Sequence, residues 1–261
     1  MVITRRAGAL AVLADTRYIP PPVRQDAPEG TLAWLRARVS RFSAGEVHAR
    51  RRRLLEDLLS GLDPDALRDA ARDLTAERGG RWEGVPVTVL GRALGFRDSG
   101  LADAVRAAAY GYLSGEETPE ADAAVRTLLS LAASPVTPPP NDPVQEAVAR
   151  VTLLLQAHDA TEGLVRNALR HAESDLVPEP PPAHGADLVP EVLERTLRLD
   201  PPVKVMRRVD RETGAEVRID LAEVNLDGEG HLTFGAGVRP CPAGRHARAL
   251  AAGVVAGVLG R

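Results

Sequence analysis

Aromatic residues are scarce in this chain: three phenylalanines, three tyrosines and two tryptophans make up 3% of its 261 residues. Few segments therefore favour strands, and the alanine, leucine, arginine and glutamate that dominate favour helix, so a mostly α fold is expected. Cysteine is rarer still. Cys241 stands alone, which excludes an intramolecular disulfide and fits a reducing, cytoplasmic location. No apolar run approaches the roughly 18–20 residues of a membrane helix. Residues 7–14, behind Arg5 and Arg6, come nearest to a secretory leader, but Asp15 and Arg17 follow at once and argue against it. Net charge is also nearly absent: 33 basic against 36 acidic side chains leave −3. Nothing global therefore points to nucleic acid or an anionic membrane as partner.

What is present suffices for a sizeable core, with 44% hydrophobic residues in a length at the upper end for one domain. Residues 1–30, with Pro20, Pro21 and Pro22 and little periodicity, read as an extended lead-in, and 31–261 as a single domain. Helical spacing runs over 46–74, interrupted at Gly61, with Asp63 as cap and Pro64 in the first turn of the second helix. Residues 85–94 are ambiguous between strand and short helix. Further helices are expected over 101–113, 118–133, 144–172, 190–199 and 245–259, with proline-rich linkers at 135–143 and 178–182. Val217, Ile219 and Leu221 alternate as in a short strand.

Cys241 lies in Phe234-Gly-Ala-Gly-Val-Arg-Pro-Cys-Pro-Ala-Gly244, directly ahead of the last helix. The dipole and N–H groups of a helix N-terminus favour thiolate over thiol, and thiolate is the metal-ligating form. Gly235 and Gly237 let the backbone approach a flat cofactor closely. The alternative is the commoner fate of a lone cysteine, a small buried side chain.

In type and spacing, Phe234, Gly235, Gly237, Arg239 and Cys241 resemble the cysteine-ligand loop of the cytochrome P-450 (haem-thiolate) family. The family usually has glycine two residues after the cysteine, where this chain has Ala243 and then Gly244, a departure expected to tighten the turn. Three further segments follow the family's order. Phe42 to Arg53 resembles the start of the helix whose histidine and arginine reach the haem propionates, here His48 and Arg52; a solvated basic face is the alternative. Leu153 to Thr161 resembles the helix across the distal side of the haem, with Ala157 toward the iron and Asp159 as its acidic residue. The family follows that acid with a proton-delivering threonine, but Ala160 stands there and Thr161 comes one later, about 100° around the helix. His158 is read either as a distal acid or second ligand, or as a polar residue packed away from the haem.

Glu194 to Val203 resembles the family's glutamate–arginine helix and its two prolines, with Arg198 as the arginine. Arg195 replaces the glutamate, leaving Glu194 to pair with Arg198 at i,i+4. Arg208 matches an arginine that reaches a propionate in the family, or is an ordinary surface residue. Between Arg208 and Phe234 the chain reads as too short for the family's strand pair and meander, and the N-terminal helix and sheet region reads as absent.

The resemblance thus implies an unusually short, actinobacterial-type member: a truncated helical core with one or two short strands, holding haem b (iron protoporphyrin IX) with Cys241 on the iron. It implies a monooxygenase or peroxygenase acting on a small-molecule substrate in secondary metabolism. Ferredoxin or another reductant is the implied partner, unless the short chain uses peroxide or redox-neutral chemistry. A core stripped of covering segments also suggests a homodimer. The alternatives are a non-catalytic haem binder and a haem-free scaffold acting through a partner.

Overall fold

The computed structural model of the chain describes residues 1–133, 142–173 and 188–260. The linker expected at 178–182 lies outside the described residues, and of 135–143 only Asp142 and Pro143 lie within them. In chain order the elements are β1 (Val2–Ile3), α1 (Arg6–Ala14), β2 (Tyr18–Ile19), α2 (Leu32–Arg38), α3 (Gly45–Ser60), α4 (Pro64–Glu77), α5 (Val85–Ala93) and α6 (Leu101–Ser114). Then follow α7 (Pro119–Ala132), α8 (Pro143–Glu173), α9 (Leu188–Leu199), β3 (Val205–Asp210), β4 (Glu216–Asp220), α10 (Leu221–Leu226) and α11 (Gly244–Leu259). The fold is mostly α with one small sheet, as the composition implies.

Local chemistry sets many of the helix ends. The hydroxyl of Thr31 accepts from Trp34 N–H at the start of α2, and that of Thr118 from Ala121 N–H at α7, with Pro119 in the first turn. Asp142 accepts from Gln145 N–H (3.0 Å) just ahead of Pro143 in α8. Each cap satisfies a donor that the first turn leaves without a partner. The ambiguous segment is helix α5: Val85, Val87, Val89 and Leu90 are buried there. That burial outweighs the roughly half a kcal/mol by which each β-branched residue disfavours helix.

The chain divides into two compact units, residues 1–19, 64–85 and 160–261 in one and 20–63 and 86–159 in the other. The first holds a four-stranded sheet in the order β1-β4-β3-β2. Two corrections to the sequence reading lie here. Residues 1–30 are not all extended lead-in, since they contain β1, α1 and β2. A nine-residue helix is not stable alone; α1 forms because Ala9, Val12 and Leu13 bury in one cluster with Val217, Ile219, Leu221, Val224 and Leu232. Nor is the chain before Phe234 too short for a strand pair: β3 and β4 pair antiparallel from Val205↔Asp220 to Val209↔Glu216. Asp210 Oδ1, accepting from Glu212 N–H (3.0 Å), and Gly214 at φ +72° make the turn between them compact. In the same unit α11 packs on α4 through glycine: a Cβ at Gly253 would stand 2.0 Å from the Arg68 carbonyl oxygen.

The second unit is helical. Arg150 of α8 is buried, and its guanidinium donates to the carbonyl oxygens of Leu94 (2.7 Å) and Ala132 (2.9 Å) at the ends of α5 and α7. Three helices are thereby tied at one point, and the carbonyls compensate a charge that burial would otherwise penalise. The aromatic pair Phe42 and Tyr112, with ring centroids 5.8 Å apart, packs under the Arg36 guanidinium.

Candidate functional site

The loop of Cys241 belongs to the first unit and is fixed by backbone hydrogen bonds. Cys241 is exposed and forms no disulfide, so the small buried side chain is not the reading the fold realises. Its N–H donates to the Phe234 carbonyl (2.7 Å) and closes the loop, while Gly235 N–H donates to the Leu232 carbonyl (2.8 Å) at its base. Gly235 (φ +74°) and Gly237 (φ +64°) occupy the left-handed region that glycine enters without strain. At Gly237 a Cβ would stand 2.1 Å from the Leu13 carbonyl oxygen, the atom that accepts from Val238 N–H (3.1 Å). The loop therefore lies against the last turn of α1. Ala243 has φ −99° and ψ 16°, a backbone that alanine adopts without strain. Ala243 supplies no side-chain cap to α11.

Two networks hold this loop from beneath, neither of them evident in the sequence. Buried Asn225 donates to the Leu197 carbonyl (3.0 Å) and the Thr233 hydroxyl (3.0 Å), and accepts from Leu232 N–H (2.7 Å). Thr233 also donates to the Leu197 carbonyl (2.6 Å). The second network is charged. Arg248 of α11 pairs with Glu194 of α9, brings Nη2 to 2.9 Å from His231 Nε2, and lies over the Phe234 ring, 5.3 Å from its centroid. Burial holds His231 below its ordinary range; Glu194 opposes that shift, and Arg248 and Arg6 add to it. Glu194 is thus engaged with α11 and not with Arg198, which donates to the Gly228 carbonyl (3.2 Å). The one available sequence signal for Arg248 is that it is the last charged residue before an uncharged stretch running to Gly260.

The remaining expected site residues are distributed as follows. Arg208, on β3, donates to the Arg207 carbonyl (2.9 Å), and Arg239 is half-buried in the loop. Both lie in the first unit, as do Ala160 and Thr161. Thr161 is 1% exposed and its hydroxyl has no hydrogen-bond partner. Ala157, His158 and Asp159 belong to the second unit's part of α8. Ala157 and Ala160 are half-buried, Asp159 is exposed, and His158 is buried with Nε2 3.8 Å from the Asp159 carboxylate. His48 and Arg52 are half-buried on α3 in that unit, and Arg52 pairs with Glu56 (2.6 Å). The neighbouring Arg51 donates to the Ala37 carbonyl (2.9 Å).

Among the described residues no group of three or more histidine, cysteine, aspartate or glutamate side chains could hold a metal ion. No helix among them is long and apolar enough to cross a membrane. No family model and no curated protein matches the sequence. Solved structures do match. P450BioI, in complex with an acyl carrier protein ligated to hexadec-9Z-enoic acid, is 18% identical with a TM-score of 0.74, over 99% of this chain and 84% of that one. P450 RauA, complexed with a biosynthetic intermediate of aurachin RE, is 18% identical with a TM-score of 0.72, over 98% and 82%. A thermophilic cytochrome P450 from Sulfolobus tokodaii is 18% identical with a TM-score of 0.70, over 99% and 85%. At these identities the likeness is one of architecture, and on it the chain has the cytochrome P450 fold.

Proposed function

We propose that this chain binds haem b through Cys241 and uses it to transform a small organic molecule, by oxygen or peroxide chemistry or by a redox-neutral rearrangement. The observation that carries this reading is the Cys241 loop, an exposed thiol ahead of a helix that its N-cap residue leaves uncapped, on a backbone that two left-handed glycines shape. The donor set fits the group. One thiolate suits an iron already held by a porphyrin, whereas a bare zinc ion takes three or four protein ligands. When bound, haem would supply a redox-active iron, and Cys241 as its thiolate ligand would donate electron density to it.

The chain's own residues would do the rest. Gly235 and Gly237 would shape the turn that presents the cysteine, and His48, Arg52, Arg208 and Arg239 would bind propionates through charge-assisted hydrogen bonds. Ala157 leaves space beside the iron, and Asp159 holds or passes a proton. A second reading, haem binding without oxygen activation, is favoured by Ala160 in place of the proton-delivering threonine. Under either reading a small-molecule ligand and a cytoplasmic location are proposed, with a reductant such as ferredoxin for the first and a homodimer as the assembled form.

The test is the absorption spectrum of the purified protein supplied with haem, oxidised and then reduced under carbon monoxide, beside Cys241→Ala. A strongly red-shifted Soret band that is lost in the variant is expected. No haem uptake overturns the proposal and leaves a haem-free scaffold; uptake with an unchanged spectrum in Cys241→Ala overturns Cys241 as ligand. Turnover with peroxide or a reductase then separates enzyme from binder.

A further inference from the structure

The side chain that touches the most parts of the Cys241 loop's support is Arg248, and it comes from outside the loop. It reaches Glu194 on α9, His231 at the loop's entrance and the face of the Phe234 ring. The Phe234 carbonyl accepts from Cys241 N–H, so the ring and the carbonyl of one residue link Arg248 to the cysteine. His231 and Phe234 also touch, ring centroids 5.9 Å apart, and His231 Nδ1 accepts from Thr233 N–H (3.2 Å). Every residue from 231 to 234 thus meets either Arg248's network or that of Asn225. The two differ in kind: the Asn225 bonds anchor 232 and 233, while Arg248 grips the side chain of Phe234, whose carbonyl holds the cysteine.

We propose that Arg248 is the positioning residue of the Cys241 loop: a guanidinium clamp that joins α9, His231 and Phe234 and so fixes the backbone that carries the cysteine. Planarity makes arginine suited to this role, since one guanidinium forks to a carboxylate and stacks on a ring together, which a lysine ammonium does not. The loss of Arg248 leaves Glu194 without its guanidinium partner, removes the side chain packed against His231 and uncovers the Phe234 ring on one side. The bond from Cys241 to Phe234 then opens more often, although the Asn225 network and the rest of the fold persist.

The proposal rests on the haem reading only in what the cysteine is for, and its test needs no haem. Amide hydrogen exchange is followed by peptide in the haem-free protein for wild type, Arg248→Met, Arg248→Lys, and Arg245→Met as a control at an exposed position of α11. Breaking a charge-assisted contact of this kind corresponds to about tenfold or more in local opening. Exchange within 232–242 is expected to accelerate by about that factor in Arg248→Met, less in Arg248→Lys and not at all in Arg245→Met, with α4 and α8 unchanged. Unaltered exchange in 232–242, or equal acceleration throughout the chain, overturns the proposal. Should Arg248→Met fail to fold, Glu194→Gln, which removes one partner of the clamp, gives the same contrast. Where haem does bind, a mixed or broadened Soret band in Arg248→Met, sharpened again by lysine, reports the same loss of position. A failure of the haem reading would remove this last readout and leave the exchange result standing.

Discussion

The Cys241 loop and the middle of α8 both resemble family segments, and the structure treats them differently. In the loop Phe234, Gly235, Gly237, Arg239 and Cys241 all match, Ala243 being the one departure, and the two glycines adopt the conformation that only glycine takes freely. Hydrogen bonds from three other elements, α1, α9 and α10, and a ring contact from α11 fix it in place. In α8 the residue after Asp159 is an alanine, and the threonine beyond it buries a hydroxyl that bonds nothing. The cysteine loop is braced by its neighbours, while this segment of α8 lacks the threonine that the resemblance leads one to expect after its acidic residue. Haem uptake and turnover, both proposed for this chain, therefore need separate tests.

Ways to break the contrast start at the loop. Gly237→Ala places a Cβ against the Leu13 carbonyl and forces a left-handed backbone on alanine, and an expected destabilisation of about 2–4 kcal/mol should appear in urea unfolding. A loss below about 1 kcal/mol would mean that the loop yields easily and is not braced as described. On α8 the expectation reverses sign. Thr161→Val keeps the shape and removes an unpaired buried hydroxyl, which should stabilise the fold by about 1 kcal/mol in the same assay. Destabilisation instead would show that the hydroxyl does bond in solution, and would make Thr161 a candidate for proton delivery again.

The smallest effect sharpens the account of the loop's support. His231 titrates below its ordinary value in the folded chain, so near and just below that ordinary value the unfolded chain binds more protons than the folded one. Stability must then fall as pH drops through about 6.5 toward the folded-state value, and recover above it. The urea midpoint of wild type should fall between about pH 7.5 and pH 5.5 by a few tenths of a molar more than that of His231→Gln. Equal falls in the two proteins would place the acid sensitivity elsewhere.

Much of the scaffold is legible in the order of residues alone. The break at Gly61 and Pro64, Thr118 with Pro119, and the long α8 all rest on chemistry within a few residues, where spacing and capping act directly. The loop is legible for the same reason, since its glycines, arginine and cysteine lie within eight consecutive positions. What stays hidden is held from a distance. Strand β1, two residues long, pairs with β4 near residue 218, and α1 stays helical on a core drawn mainly from residues 217–232. A helix pattern offers Glu194 only an i,i+4 partner in Arg198, whereas the fold supplies Arg248.

The sequence by itself determined the helical class and most helix ends, because period and capping are properties of neighbouring residues. Only the tertiary structure decided that Cys241 faces outward, that Thr161 buries its hydroxyl, and that Arg248, His231, Glu194 and Asn225 hold the loop. Those facts depend on which distant groups meet, and side-chain burial and charge pairing are settled by packing across the chain, not along it.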